Sequence, residues 1–237
     1  MNIPQGVVVT GGSKGIGRAV AQAFVQAGSG VVITARNEAE VTEAALDLTA
    51  AGPGRAVGVV ADVRVYDQLE GAVGTAVKEF GRLDLVVANA GVGVFAPVDE
   101  LSLDDWHDVL DTNLTGAFYT TKASAEALVS AGGLLVFIAS LAGRNAFAGG
   151  SAYNASKFGL VGFAEAVMLD LRAKGVRVSC IMPGTVATHF NNHEPNAADA
   201  WKIQPEDIAR LVMDLTQMPA RTLPSRIEVR PSQPKVG

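Results

Sequence analysis

One cysteine, three histidines, two tryptophans and three tyrosines are all that 237 residues hold of those types. With Cys180 alone no intrachain disulfide can form, so stability must come from the core, and a reducing compartment is natural. Cys180 lies in the apolar run 176–182 and reads as a buried strand residue. His107, His189 and His193 lack metal spacings such as H-E-x-x-H, so no metal is expected and they are assigned to the surface or a pocket rim. No apolar stretch reaches about 18 residues, and residues 1–5 show no basic segment leading into a long apolar one. No membrane partner or secretory leader is expected, and the setting is read as cytoplasmic. Basic excess is also missing: 19 Lys and Arg face 24 Asp and Glu, for a net charge of −5. The cations are interspersed, which excludes a stripe able to track a phosphate backbone and makes nucleic acid an unexpected partner.

What is present is an alternation. Hydrophobic residues make up 49% of the chain, and short apolar runs at 7–9, 31–35, 56–60, 85–88, 134–138 and 176–182 read as strands. Amphipathic stretches at 15–27, 38–51, 65–80, 103–131 and 152–174 read as helices. A further helix near Pro205 and a seventh strand at 226–230 complete the series. Strands alternating with helices predict an α/β fold, a doubly wound parallel sheet covered on both faces, in a single domain over 1–237. The segment 231–237, with Pro231, Pro234 and a terminal glycine, is expected to be loosely held.

Two constellations carry chemistry. The first run is followed by Thr10-Gly11-Gly12-Ser13-Lys14-Gly15-Ile16-Gly17. Glycines at 11, 15 and 17 between a strand and a helix permit a tight turn, close approach to a pyrophosphate and close helix–strand packing. The helix N-terminus beyond them favours negative charge. The second is Tyr153 and Lys157, four apart and so on one helix face; Tyr66 and Tyr119 have Glu70 and Ala123 at that offset.

The pattern T-G-x-x-x-G-x-G with Y-x-x-x-K resembles the short-chain dehydrogenase/reductase family. Asp62-Val63, Asn89-Ala90-Gly91, Asn113, Ser140 and Pro183-Gly184 follow in the family's order, so the likeness spans nearly the whole chain. Ala88 stands where the family often has another asparagine. The resemblance implies that Asp62 and Val63 border the adenine, that Asn89 to Gly91 line the cofactor, and that Val186 and Thr188 contact the nicotinamide amide. It also implies that Lys157 binds the nicotinamide ribose and that Asn113 holds a water linking Lys157 to solvent. Among members, the chain looks like bacterial 3-oxoacyl thioester reductases and carbonyl reductases, although Arg226 to Pro231 replaces the glycine-rich ending common in acyl-carrier-protein reductases.

At the end of the second strand, Thr34-Ala35-Arg36-Asn37 has no carboxylate for ribose hydroxyls. Arg36, with Lys14, is placed to pair with a 2′-phosphate, so NADP(H) is the expected cofactor and Glu38 keeps NAD(H) as the alternative. An ordinary tyrosine, with a pKa of about 10, is a poor proton donor and acceptor at neutral pH. Lowering it by about three units takes roughly 4 kcal/mol, which a cation at about 4 Å supplies at an effective dielectric near 20. Lys157 is expected to be that cation, Tyr153 the acid or base, and Ser140 a hydrogen-bond partner of the substrate oxygen.

The expected reaction is reduction of a ketone or 3-oxoacyl group to a secondary alcohol. The alternatives are an NAD-linked alcohol dehydrogenase and an NADP(H)-sensing regulator. The substrate pocket is expected from 92–95, 141–147 and 185–201, with Phe95, Phe147, Phe190 and Trp201 as apolar wall. Arg144 reads as a solvated loop charge more than as a substrate anchor. The resemblance implies a homo-oligomer, a dimer or tetramer, with Ala155, Gly159, Gly162 and Ala166 permitting close helix approach.

Overall fold

A computed structural model describes residues 3–233 of the chain. Strands β1 (Gly6–Thr10), β2 (Gly30–Ala35), β3 (Arg55–Val60), β4 (Leu85–Ala88), β5 (Leu134–Ile138), β6 (Arg177–Pro183) and β7 (Arg226–Val229) alternate with helices. They form one parallel sheet in the order β3-β2-β1-β4-β5-β6-β7, the Rossmann-like arrangement the alternation predicts. The inner strands β1, β4 and β5, apolar along their runs, have both faces buried, because parallel crossovers put helices on each side. Val7, Val9, Val31 and Ile33 meet α1 (Gly15–Gln26), α2 (Glu38–Ala50) and α7 (Pro205–Gln217). Val8, Val32, Leu135 and Phe137 meet α3 (Tyr66–Phe80), α5 (Gly116–Ala131) and α6 (Ser151–Arg172). Cys180 is buried in β6 as expected, and burial pushes its thiol up to about 12.

The sheet reverses its winding between β1 and β4, and that pair opens a crevice at its carboxyl ends. The helix expected over 103–131 is interrupted: α4 (Leu103–Leu110) runs into a π-helical turn, Asp111–Thr115, before α5 begins. Asn113 sits in that turn with its amide bonded to the backbone of Val92 beyond β4, so the wider turn serves to bring this side chain inward. Residues 231–233 are irregular; the rest of the expected loose segment, 234–237, lies outside the described residues. Among the described residues, no helix is long and apolar enough to cross a membrane.

Candidate active site

A cleft of about 980 Å³ opens over the crevice, and of the catalytic and cofactor-binding residues expected from sequence, all but Gly17 and Asn113 line it. Those two sit behind it. At its floor, the hydroxyl of Thr10 accepts from the backbone N–H groups of Asn89 (3.0 Å) and Ala90 (3.1 Å). In return the Asn89 amide donates to the carbonyls of Thr10 (2.9 Å) and Gly11 (3.1 Å). The ends of β1 and β4 are therefore tied together, and β4 still pairs with β5 through Ala88 despite the missing asparagine there.

The glycine turn fits a dinucleotide on two counts. Gly11 and Gly15 have φ of 63° and 55°, which bends the chain back under the first turn of α1. A Cβ at Gly17 would lie 2.3 Å from the Gly11 carbonyl oxygen, so only glycine lets helix and strand approach this closely. Lys14 enters α1 with an extended backbone and no side-chain cap, and no acidic residue occupies the first turn. The uncapped N–H groups and the dipole suit an anion at this place.

At the far end of the same face, exposed Arg36 forms no ion pair among the described residues. Lys14 differs from the expectation: its ammonium pairs with Glu40 at 3.0 Å, because the Asn37 side chain caps α2 and sets Glu40 in the first turn facing the glycine loop. Glu40, and not Glu38, joins Asp62 as a carboxylate on the cleft wall. Asp62 is held by Arg64, whose guanidinium also reaches Asp108, and that hydrogen bond holds the Asp62 carboxyl below its ordinary range.

The chemical end is carried by β5 and α6. Ser140 follows β5, its Oγ accepting from the Ala142 N–H at 3.1 Å, so its hydroxyl proton is left for an acceptor on the Tyr153 side of the cleft. Tyr153 and Lys157 share a face of α6, with the ammonium 5.6 Å from the ring centroid. Lys157 is only 4% exposed and donates to the Ile138 carbonyl at 3.2 Å. Burial brings its pKa down from 10.5 to about 8. The expected lowering of Tyr153 does not occur in the protein alone: burial pushes the phenol above its ordinary value, and the neighbouring Ser140 hydroxyl opposes this more weakly. Desolvation outweighs a cation that faces the ring instead of the hydroxyl.

Asn113 is held by a network of its own. Its Oδ1 accepts from the Val92 N–H (2.8 Å), and its two amide hydrogens go to the Val92 carbonyl (2.9 Å) and Ser156 Oγ (3.0 Å). Ser156 in turn donates to the Tyr153 carbonyl at 2.8 Å. The donors of the amide are fully used, so the side chain clamps the turn of α6 that bears Tyr153 to the β4 loop.

Phe95, Phe147 and Phe190 reach the cleft and Trp201 does not. Arg144 turns away to Glu228 on β7, which Arg230 also holds. Gly159 is spent inside the chain, where a Cβ would lie 2.9 Å from Leu114, whereas Gly162 faces open space. His107 is exposed on α4, and His189 and His193 are on the cleft wall. Among the described residues, His, Cys, Asp and Glu form no group able to hold a metal ion.

The sequence reading missed Asp199 and Lys202. Asp199, buried, accepts from Lys202 at 2.5 Å and bonds His193 at 2.6 Å, which holds its carboxyl well below the ordinary range. The signal was the pair Asn196-x-x-Asp199, a capping box on a single helical turn, with Lys202 three residues on.

A parallel sheet with this winding, a bare glycine turn at its switch point and a Ser, Tyr and Lys group on the same cleft define a nucleotide-dependent oxidoreductase. Residues 5–199 match the family model described as short chain dehydrogenase. The 3-oxoacyl-[acyl-carrier-protein] reductase of Synechocystis sp. is 34% identical over 223 residues, covering 91% of this chain and 90% of that protein. An alcohol dehydrogenase from the archaeon Thermococcus sibiricus, complexed with 5-hydroxy-NADP, superposes with a TM-score of 0.90 at 27% identity, covering 97% and 98% of the two chains. A metagenomic short-chain oxidoreductase in complex with NADP gives 0.84 at 33% identity, covering 98% and 99%. The chain belongs to the short-chain dehydrogenase family and is an oxidoreductase of carbonyl and alcohol groups.

Proposed function

We propose that residues 1–237 form one dinucleotide-binding and catalytic domain that reduces a ketone or 3-oxoacyl group with NADPH, reversibly. The observation that carries this reading is the placement of Tyr153, Lys157 and Ser140 on the cleft that the glycine turn also lines. Gly11 to Gly17 and the N-terminus of α1 would hold the diphosphate, Arg36 the 2′-phosphate, Asp62 and Val63 the adenine. Asn89 to Gly91, Pro183, Gly184, Val186 and Thr188 would hold the nicotinamide end, with Lys157 on its ribose. When bound, the reduced cofactor supplies a hydride.

Tyr153, a neutral phenol at pH 7 whose burial further disfavours ionisation, gives its proton to the carbonyl oxygen. Ser140 donates its hydroxyl proton to the same oxygen as negative charge grows there. Lys157, an ammonium below about pH 8, stabilises the phenolate left behind. Asn113, through Ser156, keeps the two α6 side chains in register with Ser140. In the reverse direction Tyr153 must first lose its proton, so oxidation should accelerate through the alkaline range where reduction declines.

Glu40 beside Lys14 favours NAD(H) as the second reading, because a carboxylate on that wall can accept from ribose hydroxyls. Phe118, Phe158 and Leu169, exposed along α5 and α6, support a dimer or tetramer through that face. The lone buried Cys180 is compatible with a cytoplasmic setting.

The test is oxidation of NADPH and of NADH by the purified protein across small ketones, diketones, aryl ketones and a 3-oxoacyl thioester. Turnover is expected with NADPH, and Tyr153→Phe should lower kcat by about 10²–10⁴. A Tyr153→Phe enzyme of undiminished kcat would remove the mechanism.

A further inference from the structure

The cleft holds a group of rings that the core does not use. Phe95 comes from the loop after β4, Phe147 from the loop after Ser140, Tyr153 from α6, and Phe190 from the segment after β6. The Tyr153 centroid lies 5.6 Å from that of Phe95, 6.4 Å from Phe147 and 5.6 Å from Phe190. Phe95 is itself 5.6 Å from Phe147 and 6.4 Å from Phe190. All five pairs are edge-on or tilted, the arrangement that ring quadrupoles prefer.

The three phenylalanines stay 41%, 45% and 38% exposed, while Phe24 and Phe137 are wholly buried in the core. The backbone is kept bare to admit them. A Cβ at Gly93 would lie 2.6 Å from the Phe190 ring and 3.1 Å from that of Phe95, and one at Gly150 would lie 2.5 Å from the Phe147 ring. Three loops remote from one another in sequence thus each place a ring beside the proposed proton donor on the cleft wall. Exposed aromatic surface of this extent is unfavourable in water until something covers it. The charged side chains of the neighbouring segment ask for nothing: Asp199 already holds both His193 and Lys202.

Resting on the reduction proposed above, we infer that the substrates are aryl ketones and, in reverse, secondary aryl carbinols. The aryl group sits among Phe95, Phe147 and Phe190 while the carbonyl oxygen meets Tyr153 and Ser140. The ketone takes a hydride on carbon from NADPH, which becomes NADP+, and a proton on oxygen from Tyr153. An acyl chain would gain only from covering apolar area here, whereas an aryl ring also gains from edge-to-face contact, roughly three- to tenfold per ring pair.

The experiment compares kcat/KM for acetophenone and cyclohexyl methyl ketone, alike in size and differing in aromaticity, in the unaltered enzyme and in Phe95→Leu and Phe190→Leu. Conjugation makes acetophenone the less electrophilic ketone, so chemical reactivity alone favours the other. Acetophenone should be preferred by about tenfold, falling to about threefold in each variant. A ratio near one, or a preference that both variants keep, overturns the inference. Binding of 1-phenylethanol against 1-cyclohexylethanol, read by ligand-observed NMR, separates the two proposals. If neither ketone is turned over, preferential binding of the aryl carbinol keeps the ring site and sinks the reductase reading; equal binding sinks the ring site itself.

Discussion

The two halves of the cleft are built by different forces. The glycine-turn half is fixed by hydrogen bonds between strand ends, in which Thr10, Gly11, Asn89 and Ala90 satisfy one another's backbone groups. The half around Tyr153 is assembled from loop-borne rings partly in solvent, with Phe95 edge to face against Phe147 and Tyr153 and Phe190 tilted against Tyr153. A directional network at the end of a buried sheet tolerates little change, because each lost partner strands a polar group. Ring contacts at a cleft mouth are non-directional by comparison and can be exchanged at small cost to folding. One half is therefore committed to a single ligand architecture, and the other can change its substrate.

Asn89→Ala should break this contrast most visibly. It strands the carbonyls of Thr10 and Gly11, and a loss of about 2–4 kcal/mol is expected, seen as a melting temperature lower by roughly 5–12 °C. Phe147→Leu, the matched change in the other half, should move it by less than about 3 °C. Equal shifts would show that both halves are held alike.

Arg36→Ala acts within the rigid half but on ligand choice. NADPH should lose about ten- to a hundredfold in KM while NADH changes by less than about threefold, measured by initial rates with either cofactor. Equal losses on both would move the 2′-phosphate elsewhere.

Lys157→Met, where the halves meet, has a smaller effect of opposite sign on folding. The ammonium loses its proton at about 8 in the fold and at 10.5 as an ordinary lysine, so the unfolded chain holds the extra proton between these values. Stability therefore rises with pH across that window, and below it the buried charge costs about 3 kcal/mol. Removing it, less the lost bond to Ile138, should stabilise the protein by about 1–2 kcal/mol at pH 7. Denaturation in urea should show that gain shrinking, and then reversing, as pH approaches 10.5. Stabilisation that does not vary with pH would mean Lys157 is not charged in the fold at pH 7.

Much of the cleft was legible beforehand, for a physical reason. A glycine with positive φ, a strand buried on both faces and an i, i+4 pair on a helix are each set by local geometry, and local geometry leaves a spacing. Gly11, Gly15, Tyr153 and Lys157 are of this kind. The Lys14–Glu40 pair escaped notice, since it depends on how α2 is capped and tilted over the glycine loop. Asp199 with His193 and Lys202 escaped for a like reason, as no spacing announces which carboxylate will be buried. Trp201 was expected in the wall and is outside it, because an aromatic in a loop has no periodicity to say which way it faces.

The strand and helix alternation, hence the parallel sheet and its switch point, and the family to which the chain belongs are written in the order of its residues. The state of the groups placed there came from packing in three dimensions. Burial, a property of the whole packed chain, raises Tyr153 and lowers Lys157. The π-turn points the Asn113 amide at Val92 and Ser156. Three phenylalanines from distant loops converge on one tyrosine. Desolvation and convergence sum over residues far apart in the chain, and no local pattern records them.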